Sequence, residues 1–212
     1  EGFHFDARKH VLEYDDALNK QRDAVYRLRR EILFTDQASG NRLKDQIVEM
    51  IEEEIKRVVG FHASGSSGDW NLEEIYETIR AIAPVADIVH TRLYEISQNN
   101  ENEENRRELM IEFLARALQE AYEQHERETG EEAMRYRERG VMLRTIDTLW
   151  MDHLDAMEHM RDSVRLRAYG QRDPLVEYKH EGSRLFRELQ VSIRTSIVHT
   201  IFKTSGTPRT ES

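Results

Sequence analysis

The chain has 212 residues, of which 34% are charged and 38% hydrophobic, with only 10 glycines and 3 prolines. So few helix-breaking residues, and no run of β-branched residues alternating with polar ones, predict an all-α protein. The net charge of −10 argues against nucleic-acid binding, which needs a positive field. No apolar run approaches the roughly 20 residues of a membrane span. The absence of cysteine excludes disulfides and thiolate metal sites.

The first predicted element is a long helix from about Asp6 to Phe34. At about 1.5 Å per residue it would measure roughly 43 Å, so it would span the molecule as a beam. Its apolar positions alternate in steps of three and four, and Gln21 is the one polar member of this stripe. The members are Val11, Tyr14, Leu18, Gln21, Val25, Leu28 and Ile32.

Shorter helices are predicted in the middle of the chain. Glycine and serine dominate residues 60–69, a composition typical of a flexible loop. Asn71 is a candidate N-cap, with Glu73 and Glu74 favourably placed in the first turn that follows. The predicted ranges are 42–59, from the Asn71 cap to Ile82, 85–96 and 103–128.

Residues 141–203 are predicted to form two amphipathic helices joined by a short polar tip at 165–174. Residues 131–140 either continue the first of these helices or bend at Gly140. A lone aromatic residue, Tyr169, lies at the tip, as expected of a device for contacting another molecule. The two apolar stripes are Ile146, Trp150, His153, Met157, Met160 and Val164, then Tyr178, Leu185, Leu189, Ile193, Ile197 and Ile201.

The turn chemistry at the tip favours a tight reversal. Gly170 tolerates the positive φ that such a reversal needs. Asp173 can cap the second helix, and Pro174 suits the first helical position, where a missing N–H costs nothing.

Two helical patterns, Glu177-x-x-His180 and Asp87-x-x-His90, resemble half of a di-metal site. Tyr178 continues the apolar stripe, however, so Glu177 and His180 point outward or sideways. With 41 acidic residues and 9 histidines such pairings arise by chance, and we expect no metal. The sequence also holds neither a phosphate-binding glycine loop nor a nucleophile elbow, so on its own residues this chain is not an enzyme.

His153 lies within the apolar stripe and has two interpretations. It is either a pH-sensing or proton-shuttling group, or a half-buried histidine bonded to the backbone or to a carboxylate such as Asp147. The second interpretation is favoured.

Several sequence blocks together resemble one family. RKHVLEYDDA at residues 8–17, followed by Gln21 and Arg22, and GVMLRTIDTLW at 140–150, followed by His153 and Leu154, resemble the two scaffold blocks of the bacterial preprotein translocase motor SecA. LRAYGQRDP at 166–174 and EYK at 177–179 resemble that family's two-helix finger. The order of the blocks and the gap between them also match.

The resemblance implies a long central scaffold helix, an inserted helical wing module and a two-helix finger hairpin. The predicted divisions are the first scaffold helix at 1–39, the wing at 40–130, the continued scaffold with the finger at 131–204, and a disordered tail at 205–212. Because the chain opens at Glu1 without a methionine, we expect it to be part of a longer protein.

The resemblance implies a non-catalytic part of an ATP-driven translocase subunit. It would couple movement of the nucleotide-binding and preprotein-binding domains of the parent protein to the finger, which would contact unfolded preprotein and the SecYEG channel. ATP and magnesium would bind to those other domains, so no cofactor is expected here. The location would be cytoplasmic and peripheral on the inner face of the plasma membrane, where an anionic membrane surface is a further candidate partner.

The resemblance also assigns candidate residues. The fingertip would be Tyr169 surrounded by Arg165, Arg167, Gln171 and Arg172, and the contacts to the motor domains would be Arg8, Tyr14, Asp15, Asp16, Arg22 and Trp150. Ala168 stands where the family usually has glycine, which would add strain of about 1 kcal/mol if that position needs a positive φ. A freestanding helical adaptor that docks partner helices is the alternative, since it would show the same stripes.

Overall fold

The computed structural model describes residues 2–35, 42–167 and 173–203, without the side chains of residues 2–12, 67 and 165–167. Across these ranges the chain is helical and contains no strand, which confirms the predicted all-α class. None of the described helices is both long and apolar enough to cross a membrane.

The described helices agree with the predicted ones in order and differ at several ends. They are α1 (Gly2–Leu33), α2 (Arg42–His62), α3 (Leu72–Ile82), α4 (Ile88–Ser97), α5 (Glu103–Thr129), α6 (Glu131–Arg167) and α7 (Pro174–Ile201), with one 3-10 turn at Ser67–Asp69. α2 continues through Gly60, since a single glycine lowers helix propensity without breaking the hydrogen-bond ladder. α6 is likewise one uninterrupted helix through Gly140. Of the two predicted alternatives, residues 131–140 therefore continue the first finger helix and do not bend at Gly140.

Local side-chain chemistry fixes several helix ends. The Asn71 side chain accepts a hydrogen bond from the Glu74 amide at 3.2 Å, and Asp173 accepts one from the Leu175 amide at 2.9 Å. Both satisfy N–H groups that the first helical turn leaves unpaired, as predicted. Gly130 ends α5 with a φ of +88°, a conformation that glycine adopts without strain.

The chain divides into two compact units. Unit 1 comprises Glu1–Ser39 and Met142–Ile193, and unit 2 comprises Gly40–Val141 and Arg194–Ser212. Two of the three boundaries between the units fall within α6 and α7, and the third, between residues 39 and 40, lies outside the described residues. The domain limits predicted from the sequence, with a division after residue 130, stay a prediction.

Unit 1 buries the stripes that the sequence predicted for the scaffold helix and the finger. In α1 the side chain of Val25 is buried, and in α6 and α7 the stripe residues within this unit are buried or half-buried. The buried apolar members are Ile146, Trp150, Met157, Val164, Tyr178, Leu189 and Ile193. Facing stripes of this kind remove apolar surface from water, which is the main stabilising contribution to a helical bundle.

Unit 2 is a separate helical core. α2 packs against α3 and α5, and α4 packs against the same two helices. Its fully buried residues include Ile47, Ile51, Ile55, Ile75, Ile79, Leu93, Met110, Leu114, Leu118 and Tyr122. Trp70 anchors the glycine- and serine-rich segment, because its indole N–H donates to the Gly65 carbonyl at 3.3 Å while the Arg106 guanidinium lies 5.2 Å from the indole ring.

Candidate functional site

The predicted fingertip lies mostly outside the described residues. Tyr169, Gln171 and Arg172 belong to the undescribed segment between α6 and α7. Arg165 and Arg167 form the end of α6, but their side chains are not described. The fingertip role of these five residues therefore stays a prediction, as do the conformation at Ala168, the turn at Gly170 and the tail at 205–212.

The candidate contacts on α1 occupy different environments. Tyr14 is half-buried and packs edge-on against Tyr178 of α7, with ring centroids 4.6 Å apart, so it belongs partly to the core of unit 1. Asp15 is exposed, and Asp16 is exposed and pairs with Lys20 at 2.9 Å.

The remaining predicted contacts to the motor domains also lie in different environments. Arg22 donates to the Asn19 side chain at 2.7 Å. Arg8 lies in α1, and its side chain is not described. Trp150 is on α6 and only 5% exposed.

Trp150 lines a surface depression of about 440 Å³ within unit 1, called here the Trp150 depression. Although Trp150 itself is nearly buried, three apolar neighbours are strongly exposed: Phe34 at 77%, Met151 at 60% and Tyr26 at 52%. The full lining is Tyr26, Arg29, Arg30, Leu33, Phe34, Asp147, Trp150 and Met151. Clustered exposed apolar side chains beside charged ones are typical of an interaction surface.

Of the residues assigned from the sequence as contacts to the motor domains, only Trp150 lines this depression. The sequence does contain a pattern that points to this surface. Tyr26 and Phe34 are large apolar residues that lie outside the buried stripe of α1, so a partner is needed to cover them. Arg29 and Asp147 bridge α1 and α6 at the edge of the depression through two hydrogen bonds, at 2.9 and 3.3 Å. The hydrogen bonds that Arg29 donates to Asp147, followed by the charge of that carboxylate, raise the pKa of Arg29.

Asp16 lines a second concavity, a groove of about 520 Å³ between α1 and α7. Its lining is Asp16, Ala17, Lys20, Gln21, Tyr178, Lys179, Gly182, Ser183, Phe186 and Arg187. The structure therefore assigns the predicted motor-domain contacts Asp16 and Trp150 to two different surfaces of unit 1.

A buried polar junction joins the three helices of unit 1. The Gln21 amide nitrogen donates to the Gly182 carbonyl of α7 at 3.0 Å, and its carbonyl oxygen lies 2.8 Å from His153 Nε2 of α6. Gln21 is 9% exposed and His153 is 5% exposed. We call these three residues the Gln21 junction.

The surroundings of His153 favour the neutral imidazole. Its ring stacks on Trp150 at 5.4 Å and lies 5.9 Å from the Phe186 ring. Burial lowers the pKa of His153. The expectation that Asp147 would be its partner is wrong: Asp147 pairs with Arg29, and the partner of His153 is Gln21.

Unit 2 buries charged groups. Arg135 forms ion pairs with Glu126 and, at 3.1 Å, with Glu138, while the Tyr122 hydroxyl donates to Glu138. Lys44 pairs with Glu126 at 2.6 Å. Glu138 and Tyr122 are fully buried, and burial raises the pKa of both. These residues form the Arg135 network.

A second buried carboxylate, Glu54 of α2, binds residues of α7 inside unit 2. It accepts hydrogen bonds from Thr195 at 2.8 Å and His199 at 3.3 Å, and from Arg57 on its own helix at 2.5 and 3.0 Å. Burial opposes ionisation of Glu54. The hydrogen bonds from His199, Arg57 and Thr195 outweigh it and lower the pKa of Glu54 to about 2.

The two helical metal patterns do not assemble into sites. His90 lies 2.9 Å from Glu73, and Asp87 accepts a hydrogen bond from the Tyr76 hydroxyl at 3.2 Å. Among the described residues, no three histidine, aspartate or glutamate side chains are grouped to hold a metal ion.

Together, the fold and these contacts define a class of protein. The described residues are helical, one long helix is bonded to both members of a helical hairpin, and the chain also contains a second helical unit. The family model described as the SecA Wing and Scaffold domain matches residues 1–205. The chain belongs to the SecA family and represents its wing and scaffold region.

Curated relatives agree with this assignment. The protein translocase subunit SecA of Dehalococcoides mccartyi (strain ATCC BAA-2266 / KCTC 15142 / 195) is 42% identical over 205 residues, which covers 96% of this chain and 20% of the relative. The same subunit of Pelotomaculum thermopropionicum is 40% identical, covering 96% of this chain and 22% of the relative. That of Chloroflexus aggregans is 38% identical, covering 97% and 20%. The chain thus spans about a fifth of the length of these relatives.

Proposed function

We propose that this chain is the scaffold and wing of an ATP-driven protein translocase and contributes no catalytic group of its own. Movement of the nucleotide-binding and preprotein-binding domains of the parent protein would pass along α1 to the hairpin of α6 and α7. The observation that carries the proposal is the Gln21 junction, which bonds α1 to both hairpin helices. A helix bonded to both members of a hairpin can move them together.

The proposed contact with the transported polypeptide is the tip between α6 and α7. A tyrosine such as Tyr169 suits a substrate without a fixed sequence, because its ring contacts any apolar surface and its hydroxyl tolerates water. Arg165, Arg167 and Arg172 would bind carboxylates of the SecYEG channel or phosphates of an anionic membrane surface, and Gln171 would add a neutral hydrogen-bonding group.

The proposed contact with the motor domains includes the Trp150 depression. Trp150 is too buried to supply much contact area, so we assign that area to Phe34, Met151 and Tyr26. Covering clustered apolar side chains with a partner stabilises the complex by about 25 cal/mol per Å² of apolar surface removed from water. The exposed acids Asp15 and Asp16, with Arg8, Tyr14 and Arg22, remain proposed contacts farther along α1.

Other features of the proposed role follow from the family. ATP and magnesium would bind in other domains of the parent protein, which would act in the cytoplasm and peripherally on the inner face of the plasma membrane. Nucleic acid is not a proposed partner. A freestanding helical adaptor has no specific observation in its favour, since the curated relatives are translocase subunits about five times longer than the matched segment.

Three variants of the full-length parent protein test the proposal. Tyr169→Ala should lower preprotein transport into SecYEG-containing vesicles roughly tenfold, which corresponds to about 1.4 kcal/mol of lost contact energy. Phe34→Ser should reduce transport through a weaker contact with the motor domains. Tyr94→Ala is the matched control, because it removes an exposed tyrosine, 60% accessible, from α4 of unit 2.

The readouts are transported preprotein per unit time and ATP hydrolysis without membranes. Tyr169→Ala should leave that basal hydrolysis unchanged, and Tyr94→Ala should leave both quantities unchanged. Normal transport by the Tyr169→Ala variant would rule out the fingertip role.

A further inference from the structure

The chemistry of the Gln21 junction fixes the orientation of every polar atom in it. The Gly182 carbonyl can only accept a hydrogen bond, so the Gln21 amide nitrogen must face it. The Gln21 oxygen then faces His153, and that oxygen can also only accept. His153 must therefore carry its proton on Nε2, and the junction is a directed chain from α6 through α1 to α7.

Apart from the solvent-exposed Arg29–Asp147 pair between α1 and α6, the rest of the contact between these helices cannot fix their axial register as sharply. Apolar stripes gain free energy from covered area, which depends weakly on a slide along the helix axis. A buried amide within an apolar seam is directional, and such groups are known to fix helix register. A slide of one turn, about 5.4 Å, would break both Gln21 bonds and leave buried polar groups unpaired.

Close packing adds a second constraint at the same place. Gly182 lies so near α6 that a Cβ atom there would be 3.1 Å from Met157 Cε and 3.7 Å from Met160 Cε. The backbone of α7 thus approaches α6 where the Gly182 carbonyl receives the Gln21 amide.

We propose that Gln21 is a positioning residue that holds both hairpin helices in one axial register on α1, so that movement of α1 reaches the hairpin without slip. The register is a property of unit 1 alone, whereas its mechanical meaning rests on the proposed function. The charged residues Asp16, Lys20, Lys179 and Arg187 line the adjacent groove. None of them has a hydrogen bond to Gln21 or His153 among the described contacts.

The test uses the full-length parent protein and separates register from stability. The double variant Gln21→Met with His153→Phe replaces both side chains of the junction with apolar ones of similar size, a change that can be nearly neutral for stability. We expect its melting temperature to stay close to that of the wild type. The amount of preprotein transported per ATP hydrolysed should fall roughly tenfold, the effect of losing two neutral hydrogen bonds.

Two substitutions at His153 test whether restoring the hydrogen-bond donor restores transport. Glutamine places its amide N–H where histidine has Nε2, so His153→Gln keeps the donor to Gln21 and should keep transport per ATP within about twofold of wild type. Asparagine has the same chemistry but a shorter reach. His153→Asn should therefore show the loss seen in the double apolar variant.

Hydrogen–deuterium exchange of peptides covering residues 14–25 and 178–189 provides a readout independent of transport. Exchange should rise in the double apolar variant and in His153→Asn, and stay at the wild-type level in His153→Gln. Wild-type transport per ATP in the double variant would overturn the inference, as would a loss that merely follows a lowered melting temperature. If Tyr169→Ala transports normally, the proposed function fails by itself, and exchange alone then decides the register: unchanged exchange in the double variant overturns it.

Discussion

The two units of this chain bury polar groups between helices in opposite ways. In unit 1 the junction of Gln21, His153 and Gly182 is neutral, and burial favours the uncharged imidazole. In unit 2 the contacts of Arg135 and Glu138 are ionic and nearly free of solvent. Losing a neutral hydrogen bond costs about 0.5–1.5 kcal/mol, whereas stranding a buried charge costs about 3–5 kcal/mol. The comparison indicates that breaking its buried polar contact costs unit 1 less free energy than breaking the Arg135–Glu138 contact costs unit 2.

The largest predicted effect is at the Arg135 network. Arg135→Met should lower the free energy of unfolding of the chain by about 3–5 kcal/mol, because Glu138 would lose its ionic partner in a fully buried position. Urea unfolding followed by circular dichroism measures the change. The matched control is Arg116→Met, since Arg116 pairs with Glu112 on the surface of α5 and is 72% exposed. That control should change the free energy by less than about 0.5 kcal/mol.

Removing the stranded charge as well should reverse part of the loss. In the double variant Arg135→Met with Glu138→Met, the remaining cost should be smaller than in Arg135→Met alone, because no buried carboxylate is left without a cation. Equal destabilisation by Arg135→Met and Arg116→Met would show that unit 2 does not depend on buried charge.

The next effect in size is a pH dependence at Glu54. The pKa of Glu54 lies at about 2 in the folded chain, below its ordinary value of 4.5, so its ionised form stabilises the fold. That stabilisation is fully present above about pH 4.5 and disappears as the pH falls through about 2. Glu54→Gln should therefore lower the free energy of unfolding by roughly 3 kcal/mol at pH 7 and by much less near pH 2.

The neighbouring residue provides the control for this pH dependence. Glu53 also bridges α2 to α7, at 2.8 Å from Arg194, but its side chain is 47% exposed. Glu53→Gln should change the free energy of unfolding by less than about 1 kcal/mol at any pH. A constant difference between wild type and Glu54→Gln from pH 7 to pH 2 would contradict the assignment of the low pKa.

Features set by residues close together in the chain, such as helix caps and apolar stripes, could be predicted from the sequence. Contacts between distant helices could not. Caps such as Asn71 and Asp173 are readable because their partners lie two or three residues away. The stripe of α1 was readable too, with Gln21 as its polar member. The partner of that amide was not, since His153 is 132 positions distant and helical periodicity does not say which helices pack together.

The candidate site likewise combines residues that could be predicted from the sequence with neighbours that could not. The resemblance to a known family supplied residues such as Trp150, but not the exposed neighbours Phe34 and Met151 that surround it, because their proximity arises only when α1 and α6 pack. The Glu54 cluster was missed for a similar reason. Its hydrogen-bond partners Thr195 and His199 follow 141 and 145 positions later in the chain.

The smallest predicted effects compare helix packing in the two units through a pair of glycines. A Cβ atom at Gly60 of α2 would have no neighbouring atom within 4 Å. Gly60→Ala should therefore stabilise the chain by up to about 1 kcal/mol through helix propensity. Gly182→Ala gains the same propensity, but its Cβ would press on Met157 Cε at 3.1 Å, and the flexible methionine must shift. Thermal unfolding should therefore rank Gly60→Ala above Gly182→Ala, which should lie near the wild type. The reverse ranking would mean that α7 does not approach α6 at Gly182 as closely as the Gln21 junction requires.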